Sequence, residues 1–232
     1  MLFSSRRGDV DFMISIENLT KSYLTSKGRH YVFKDMNIIF PEGKSIGLIG
    51  RNGAGKSTLL RMIGGIDRPD YGKVVTNNTI SWPVGLAGGF QGSLTGRENV
   101  KFVSRLYSKE NELVEKISFV EDFAELGKYF DMPIKTYSSG MRSRLAFGLS
   151  MAFKFEYYLV DEVTAVGDAR FRKKCLNAFN ERRQESSFLM VSHNLNSLKE
   201  YCDLACVLFT TESYKIYDDI SEAIREYNSL HE

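Results

Sequence analysis

The chain is poor in cysteine, proline, tryptophan and histidine, and neither sign of charge dominates. Its three cysteines, Cys175, Cys202 and Cys206, are odd in number and scattered, which argues against a disulfide framework. Asp-Leu-Ala separates Cys202 from Cys206, and no matching ligands stand elsewhere at metal-site spacing. They read as core thiols of a protein kept in a reducing compartment. No apolar run approaches the roughly 20 residues that cross a bilayer. The opening MLFSSRRGDVDF lacks an apolar core of signal-peptide length, so residues 1–12 read as a flexible leader or an early start. Lys and Arg number 31 against 29 Asp and Glu, a net charge of +2 that is too even for a chain whose main partner is nucleic acid. Two basic runs, RFRKK at 170–174 and Arg182-Arg183, read as solvated helix faces. His30 and His231 read as surface residues.

What is present is an ordinary globular composition over 232 residues, enough for one large domain or two small ones. The first forty residues are β-rich: ISIENL (14–19) and MNIIF (36–40), with a charged turn at SKGRH (26–30). KSIGLIG (44–50) is a short apolar strand ending in glycine, and a helix is predicted over about Lys56–Ile63. Two short strands follow, around Lys73–Thr76 and Thr79–Trp82. From Gly96 to Tyr129 the pattern is helical and polar. Beyond Met141, helices alternate with the apolar strands YYLV (157–160), SFLMVS (187–192) and LACVLF (204–209), before a last helix near Asp219–Ser229. Near-continuous apolar strands suit a parallel sheet covered on both faces.

GRNGAGKS at 50–57 fits G-x-x-x-x-G-K-[ST], directly after a strand and before a helix. Its glycines let the backbone turn sharply and approach oxygen atoms closely. The N–H groups of residues 53–58 would surround a β-phosphate, Lys56 would reach the β- and γ-oxygens, and the Ser57 hydroxyl would bind Mg²⁺. YYLVDE (157–162) ends an apolar strand in two carboxylates. Asp161 stands where ligands of open α/β sheets gather and would bind Mg²⁺ through water. Glu162, one residue further, is placed to take a proton from an attacking water. His193 follows the strand SFLMVS. A histidine there either touches the γ-phosphate or caps and packs.

In KTYSSGMRSRLAFGLSMAF (135–153), apolar Met141, Leu145, Leu149 and Ala152 mark one buried helix face. Ser138 suits an N-cap, so the helix start offers N–H groups and a positive dipole end to an anion. No base, nucleophile or metal ligand lies in the stretch.

The order of these parts resembles the nucleotide-binding subunit of ABC transporters over about residues 13–218. The resemblance rests on GRNGAGKST, the YSSGM turn, YYLVDE, the loop ending at Asp168, and SHN at 192–194. It implies a P-loop NTPase body of the α/β class, with a mixed, largely parallel sheet, an N-terminal antiparallel β part and a helical subdomain inserted at about 90–153. The whole would be one nucleotide-binding domain over 13–232.

In that family the turn before the helix, commonly LSGGQ, is the signature motif, and two subunits pair head to tail. Each signature helix then aims at the γ-phosphate held by the other subunit. The resemblance thus implies that Ser138, Ser139 and Gly140 meet ATP across an interface with a second copy. It assigns Gly50, Arg51, Asn52, Gly53, Ala54, Gly55, Lys56, Ser57 and Thr58 to the phosphates, and Asp168 to the nucleotide-binding set. Tyr23, in TKSY, matches the aromatic that stacks on adenine; the alternative is an ordinary strand-end tyrosine. Gln91 matches the glutamine that touches Mg²⁺ and links to the membrane partner; the alternative is a plain loop residue. Catalysis falls to Glu162, His193 and Lys56, and Mg²⁺ to Ser57, Gln91 and Asp161.

Departures from the family pattern narrow the resemblance. Ser139 replaces a glycine and Met141 the usual glutamine, and VTAVGDARFRKKC (163–175) stands where most members have Pro-Thr-Ser-Ala-Leu-Asp. These features, with GGFQGSLTGREN (88–99), resemble the polysaccharide-export branch; SWPVGLAGGFQGSLTG (81–96) is most similar to capsular exporters, with O-antigen and teichoic acid exporters as alternatives. The implied partner is a separate permease, and the implied location the cytoplasmic face of the inner membrane, without a span of its own. A soluble mechanical ATPase acting on nucleic acid or ribosomes is the rival, but no sustained heptads run between Lys56 and Asp161. A non-catalytic regulator is the other rival, and an intact Glu162 and His193 speak against it.

Overall fold

The computed structural model describes residues 12–85, 87–161, 168–192 and 194–229. In chain order the elements are β1 (Phe12–Thr25), β2 (Gly28–Pro41), β3 (Ile46–Gly50), α1 (Lys56–Ile63), β4 (Tyr71–Thr76), α2 (Gly96–Tyr107), α3 (Leu113–Ala124), α4 (Ser139–Ala152), β5 (Tyr157–Asp161), α5 (Ala169–Arg183), β6 (Ser187–Val191), α6 (Leu195–Tyr201), β7 (Leu204–Leu208), β8 (Tyr214–Tyr217) and α7 (Ile220–Ser229). Contacts divide them into two compact units, one running to Thr79 and resuming at Ser187, the other covering Ile80–Ser186.

The first unit holds two sheets. In one, β3 lies between β6 and β7, parallel to both, and β8 closes the edge antiparallel to β7. Ile46–Ile49 of β3 are all buried, as a strand covered on both faces requires. The other sheet is antiparallel in the order β2-β1-β4. Its core is Ile14, Ile16, Leu19, Phe33, Ile38 and Phe40, each at most 2% exposed. The β1–β2 hairpin runs further than its apolar residues predict, pairing out to Thr25 opposite Gly28. Residues 23–30 at its tip are exposed, so no hydrophobic alternation announces them; backbone pairing extends the ladder, and the Thr25 hydroxyl donates to the Gly28 carbonyl at 2.7 Å. Strand β8 goes unpredicted for a similar reason. It is four residues long and depends on the turn in which the Phe209 and Thr210 N–H groups donate to the Ser213 carbonyl.

The second unit is mainly helical. A capping box starts α2: the Thr95 hydroxyl accepts from Glu98 N–H while the Glu98 carboxylate accepts from Thr95 N–H. Arg97 ties α2 to α3 and to the turn beyond it. It pairs with Asp131 and Glu121, both at 2.6 Å, and stacks over Phe130 at 4.8 Å. The strand predicted around Thr79–Trp82 is instead a single bridge, Ile80 opposite Tyr157. Pro83 has no N–H to continue a ladder, and the Ser81 hydroxyl takes the place of a backbone acceptor for Leu159 N–H at 2.9 Å. The single buried face predicted for α4 also needs correction. Met141 is only half-buried, while Leu145–Ala152 are buried all round the helix. Phe147 stacks on Phe123 of α3 at 5.8 Å. Trp82, from the bridge segment, donates to Ser150 at 2.9 Å and packs edge-on against Phe153 and Phe155.

The RFRKK run is exposed at Arg170, Arg172 and Lys173, as a solvated face requires. Lys174 is different: its ammonium donates to the Asp122 and Phe123 carbonyls and pairs with Glu125 at 2.8 Å. His30 is exposed, and His231 lies outside the described residues. No helix among the described residues is long and apolar enough to cross a membrane.

All three cysteines are buried, and none is in a disulfide. Burial pushes the Cys175 and Cys206 thiols up to about 12, which leaves almost no thiolate at neutral pH. An aromatic disulfide reagent at pH 8 is therefore expected to leave Cys175 and Cys206 unmodified in the folded protein and to titrate three thiols in denaturant. Rapid labelling of either residue in the folded chain would show that its region opens.

Candidate nucleotide site

The chain leaves β3 at Gly50, crosses residues 51–55 and enters α1 at Lys56. Gly53 and Gly55 have φ of 85° and 93°, a left-handed backbone that L side chains resist. An N–H of Ala54 donating to the Arg51 carbonyl at 3.0 Å closes the turn. Gly55 is the N-cap of α1; no side chain caps that end, and its first turn carries no acidic residue. The first N–H groups and the positive dipole end are thus left for an external anion. The Lys56 ammonium curls back over the loop, donating to the carbonyls of Gly50 at 2.6 Å and Arg51 at 3.0 Å. Arg51, Asn52 and Gly53 are exposed, Ala54 and Ser57 are half-buried, and Thr58 is buried and accepts from Arg61.

The β1–β2 hairpin packs against this loop. A Cβ on Gly55 would lie 2.4 Å from Val32 Cγ1 and 2.6 Å from Phe33 Cζ. Phe33 pairs with Lys21, and Tyr23 pairs with His30. The hairpin therefore carries Tyr23 in on the strand next to the one that the phosphate loop touches. Tyr23 is 39% exposed. Its hydroxyl donates to Asp67 Oδ2 at 2.9 Å, and Asp67 Oδ1 accepts from the buried Lys21 ammonium at 2.7 Å. The hydrogen bond to Asp67 raises the Lys21 pKa. Burial alone would push Asp67 up, but the bonds from Lys21 and Tyr23 outweigh it and hold the carboxyl below its ordinary value. The pairing of Asp67 with Lys21 escapes a sequence reading because 46 residues separate them; Lys21 lies inside TKSY, but Asp67 stands in no motif.

The second unit holds the other predicted residues. Asp161 is the exposed last residue of β5, after four buried ones. Ser138 caps α4, its hydroxyl accepting from Met141 N–H at 3.2 Å. Ser138 and Ser139 are exposed, Gly140 is half-buried, and the first turn has no acidic residue. Gln91 is exposed. Its backbone is held at both ends by the buried Asn99 side chain, which accepts from its N–H at 2.8 Å and donates to its carbonyl at 3.1 Å. Asp168 is exposed and caps α5 through Phe171 N–H at 3.0 Å. Its other oxygen pairs with Arg144 of α4 at 2.5 Å, and Arg144 lies 4.5 Å over the Phe171 ring. The Phe171 N–H and then Arg144 hold the Asp168 carboxyl below its ordinary value. Arg144, which sequence reasoning missed, thus joins the helix after the YSSGM turn to the cap of α5. Glu162 and His193 lie outside the described residues.

A glycine-rich loop between a buried parallel strand and the uncapped start of a helix defines a P-loop nucleotide-binding protein of the α/β class. The profile of the ABC transporter family matches residues 33–165, and the chain belongs to that family. It is 75% identical over 215 residues to the polysialic acid transport ATP-binding protein KpsT of Escherichia coli, covering 93% of this chain and 96% of that one. It is 46% identical to the capsule polysaccharide export ATP-binding protein CtrD of Neisseria meningitidis serogroup B, covering 94% and 100%. Among solved structures, a dimeric post-hydrolysis state of the ATP-binding cassette MJ0796 bound to ADP and Pi matches with a TM-score of 0.72 at 21% identity, over 89% of this chain and 98% of that one. That likeness shows the fold: a mixed sheet with parallel strands, an antiparallel N-terminal sheet and helices.

Proposed function

We propose that this chain is the ATP-binding and ATP-hydrolysing subunit that powers a membrane permease exporting a polysaccharide, of capsular type, across the inner membrane. The likeness to KpsT and CtrD over almost the whole of each chain carries the cargo assignment. The uncapped helix start behind Gly53 and Gly55 carries the nucleotide assignment. The chain acts as one nucleotide-binding domain over 13–232, with a helical subdomain at about 90–153 that receives the permease. It works at the cytoplasmic face of the membrane.

ATP is the substrate. Its phosphates lie in the loop from Gly50 to Thr58, and its base lies against Tyr23. Lys56 exchanges its two loop carbonyls for phosphate oxygens, and the N–H groups at the start of α1 hold the charge that develops. Glu162 accepts a proton from the attacking water, which His193 helps to orient. A second copy, paired head to tail, brings Ser138, Ser139 and Gly140 to the γ-phosphate. The hydroxyl of Ser57 and the carboxylate of Asp161 are hard oxygen donors, and Gln91 adds an amide oxygen. No group of three or more His, Cys, Asp or Glu able to hold a metal occurs among the described residues. That donor set fits Mg²⁺, which keeps several waters and phosphate oxygens and needs few protein ligands. When bound, Mg²⁺ would supply charge neutralisation at the phosphate oxygens.

The test is export in a capsulated host that lacks its own copy of this subunit. The native chain is expected to restore surface polysaccharide, and Lys56→Ala is expected to leave the polymer inside the cell. Copurification with ribosomes or nucleic acid, and no effect on surface polymer, would favour the soluble mechanical ATPase instead.

A further inference from the structure

On the base side of the site, residues that no motif marks clamp the TKSY segment. Asp67 stands just past α1, the helix whose other end forms the phosphate loop. The N–H groups of Ile66 and Asp67 both donate to the Arg61 carbonyl, at 2.9 and 3.2 Å, so this corner is tied to the last turn of α1. From there three consecutive residues of β1 are gripped. Lys21 reaches Asp67 Oδ1 at 2.7 Å and the Arg68 carbonyl at 2.6 Å. Ser22 gives both its N–H and its hydroxyl to Asp70, at 2.8 and 2.5 Å. Tyr23 reaches Asp67 Oδ2 at 2.9 Å. The Lys21 ammonium also stands 5.1 Å from the centre of the Tyr23 ring.

A half-exposed tyrosine near a strand end ordinarily samples several rotamers, and ordering it on binding costs entropy. Here the hydroxyl is held by a carboxylate that is itself held by a buried ammonium. The ring is therefore ordered before a ligand arrives. The ammonium beside the ring also makes a cation–π contact, which steadies the same orientation. The clamp hangs from α1, so ring and phosphate loop are tied to opposite ends of the same helix.

We propose that Asp67 and Lys21 are positioning residues that fix the plane of the Tyr23 ring for stacking of the nucleotide base. The proposal rests on the reading of Tyr23 as the base platform. Neither residue touches the nucleotide; both act through the ring. Their effect is thus confined to ligands that have a base.

The experiment is calorimetric titration of the full chain with ATP and, separately, with inorganic tripolyphosphate. Tyr23→Phe keeps the ring and removes only the hydroxyl; Asp67→Ala removes its acceptor. Both are expected to bind ATP about 2- to 12-fold more weakly, the cost of ordering one freed side chain on binding, and tripolyphosphate as the native chain does. Tyr23→Ala is the control on the platform itself, with a larger loss for ATP alone. If Tyr23→Ala weakens ATP while Tyr23→Phe binds it normally, the platform stands and the clamp is refuted. If Tyr23→Ala binds ATP normally, the platform reading fails and the clamp with it. An equal loss for tripolyphosphate in Asp67→Ala would mean that the residue supports the fold rather than the ring. Should Asp67→Ala not fold, Tyr23→Phe decides the matter alone.

Discussion

With Glu162 replaced by glutamine, ATP is expected to stay bound while turnover falls by about 10²–10⁴-fold. Glutamine keeps the size of the side chain and one oxygen, but it cannot take a proton from water at neutral pH. Asp161 and the phosphate loop are untouched, so the nucleotide keeps its ligands. Hydrolysis is what would separate two copies closed on ATP. The variant should therefore elute as a dimer with ATP and as a monomer without it. Gel filtration with and without nucleotide, together with a phosphate-release assay, reads both effects. Native turnover in the variant would remove Glu162 from its role. A monomer in the presence of ATP would remove the shared site, as would native turnover per chain that does not fall on dilution.

The Gly55→Ala variant is expected to lose nucleotide binding through a steric cause visible in the first unit. At φ of 93° an alanine costs about 1–2 kcal/mol in left-handed backbone. Its Cβ would also stand 2.4 Å from Val32 Cγ1 and 2.6 Å from Phe33 Cζ. Relieving that overlap costs about 1–3 kcal/mol more. Together these reach roughly 2–5 kcal/mol, or about 30-fold to several thousand-fold in an equilibrium. Where the strain appears depends on what yields. If the free loop relaxes away from the hairpin and only the bound form needs the native turn, the loss falls on ATP affinity and the melting temperature barely moves. If the hairpin yields instead, the melting temperature falls and affinity suffers less. The first outcome is expected, because residues 51–53 are exposed, whereas Phe33 is fully buried. Calorimetric titration beside a thermal melt separates the two. Native affinity and native melting together would show that the loop does not need a glycine at 55.

Much of this was legible from residues close together in the chain. The helix predicted over Lys56–Ile63 has those same bounds, because a glycine run ends there and the apolar period begins. Ser138 caps α4 as its place before the helix suggests. Short apolar strands were equally plain, since burial on both faces leaves a run of four or five apolar residues. The exceptions share a cause. The tip of the β1–β2 hairpin is exposed, β8 depends on a partner strand, and Thr79–Trp82 lacks the N–H at Pro83 that a ladder needs. Each is decided by a partner strand and not by a period.

The sequence by itself determined the phosphate loop, its strand and helix, the capped helix start at Ser138 and the family to which they belong. All but the last depend on residues within a turn or two of one another, where backbone geometry and hydrogen bonding are local; the family is read from the order of such motifs along the chain. Only the tertiary structure decided that Phe33 presses on Gly55, that Arg144 reaches Asp168, and that Asp67 holds Lys21 and Tyr23. Those contacts join residues 22 to 46 positions apart. Strand register and helix placement bring such residues together, and no spacing rule records them.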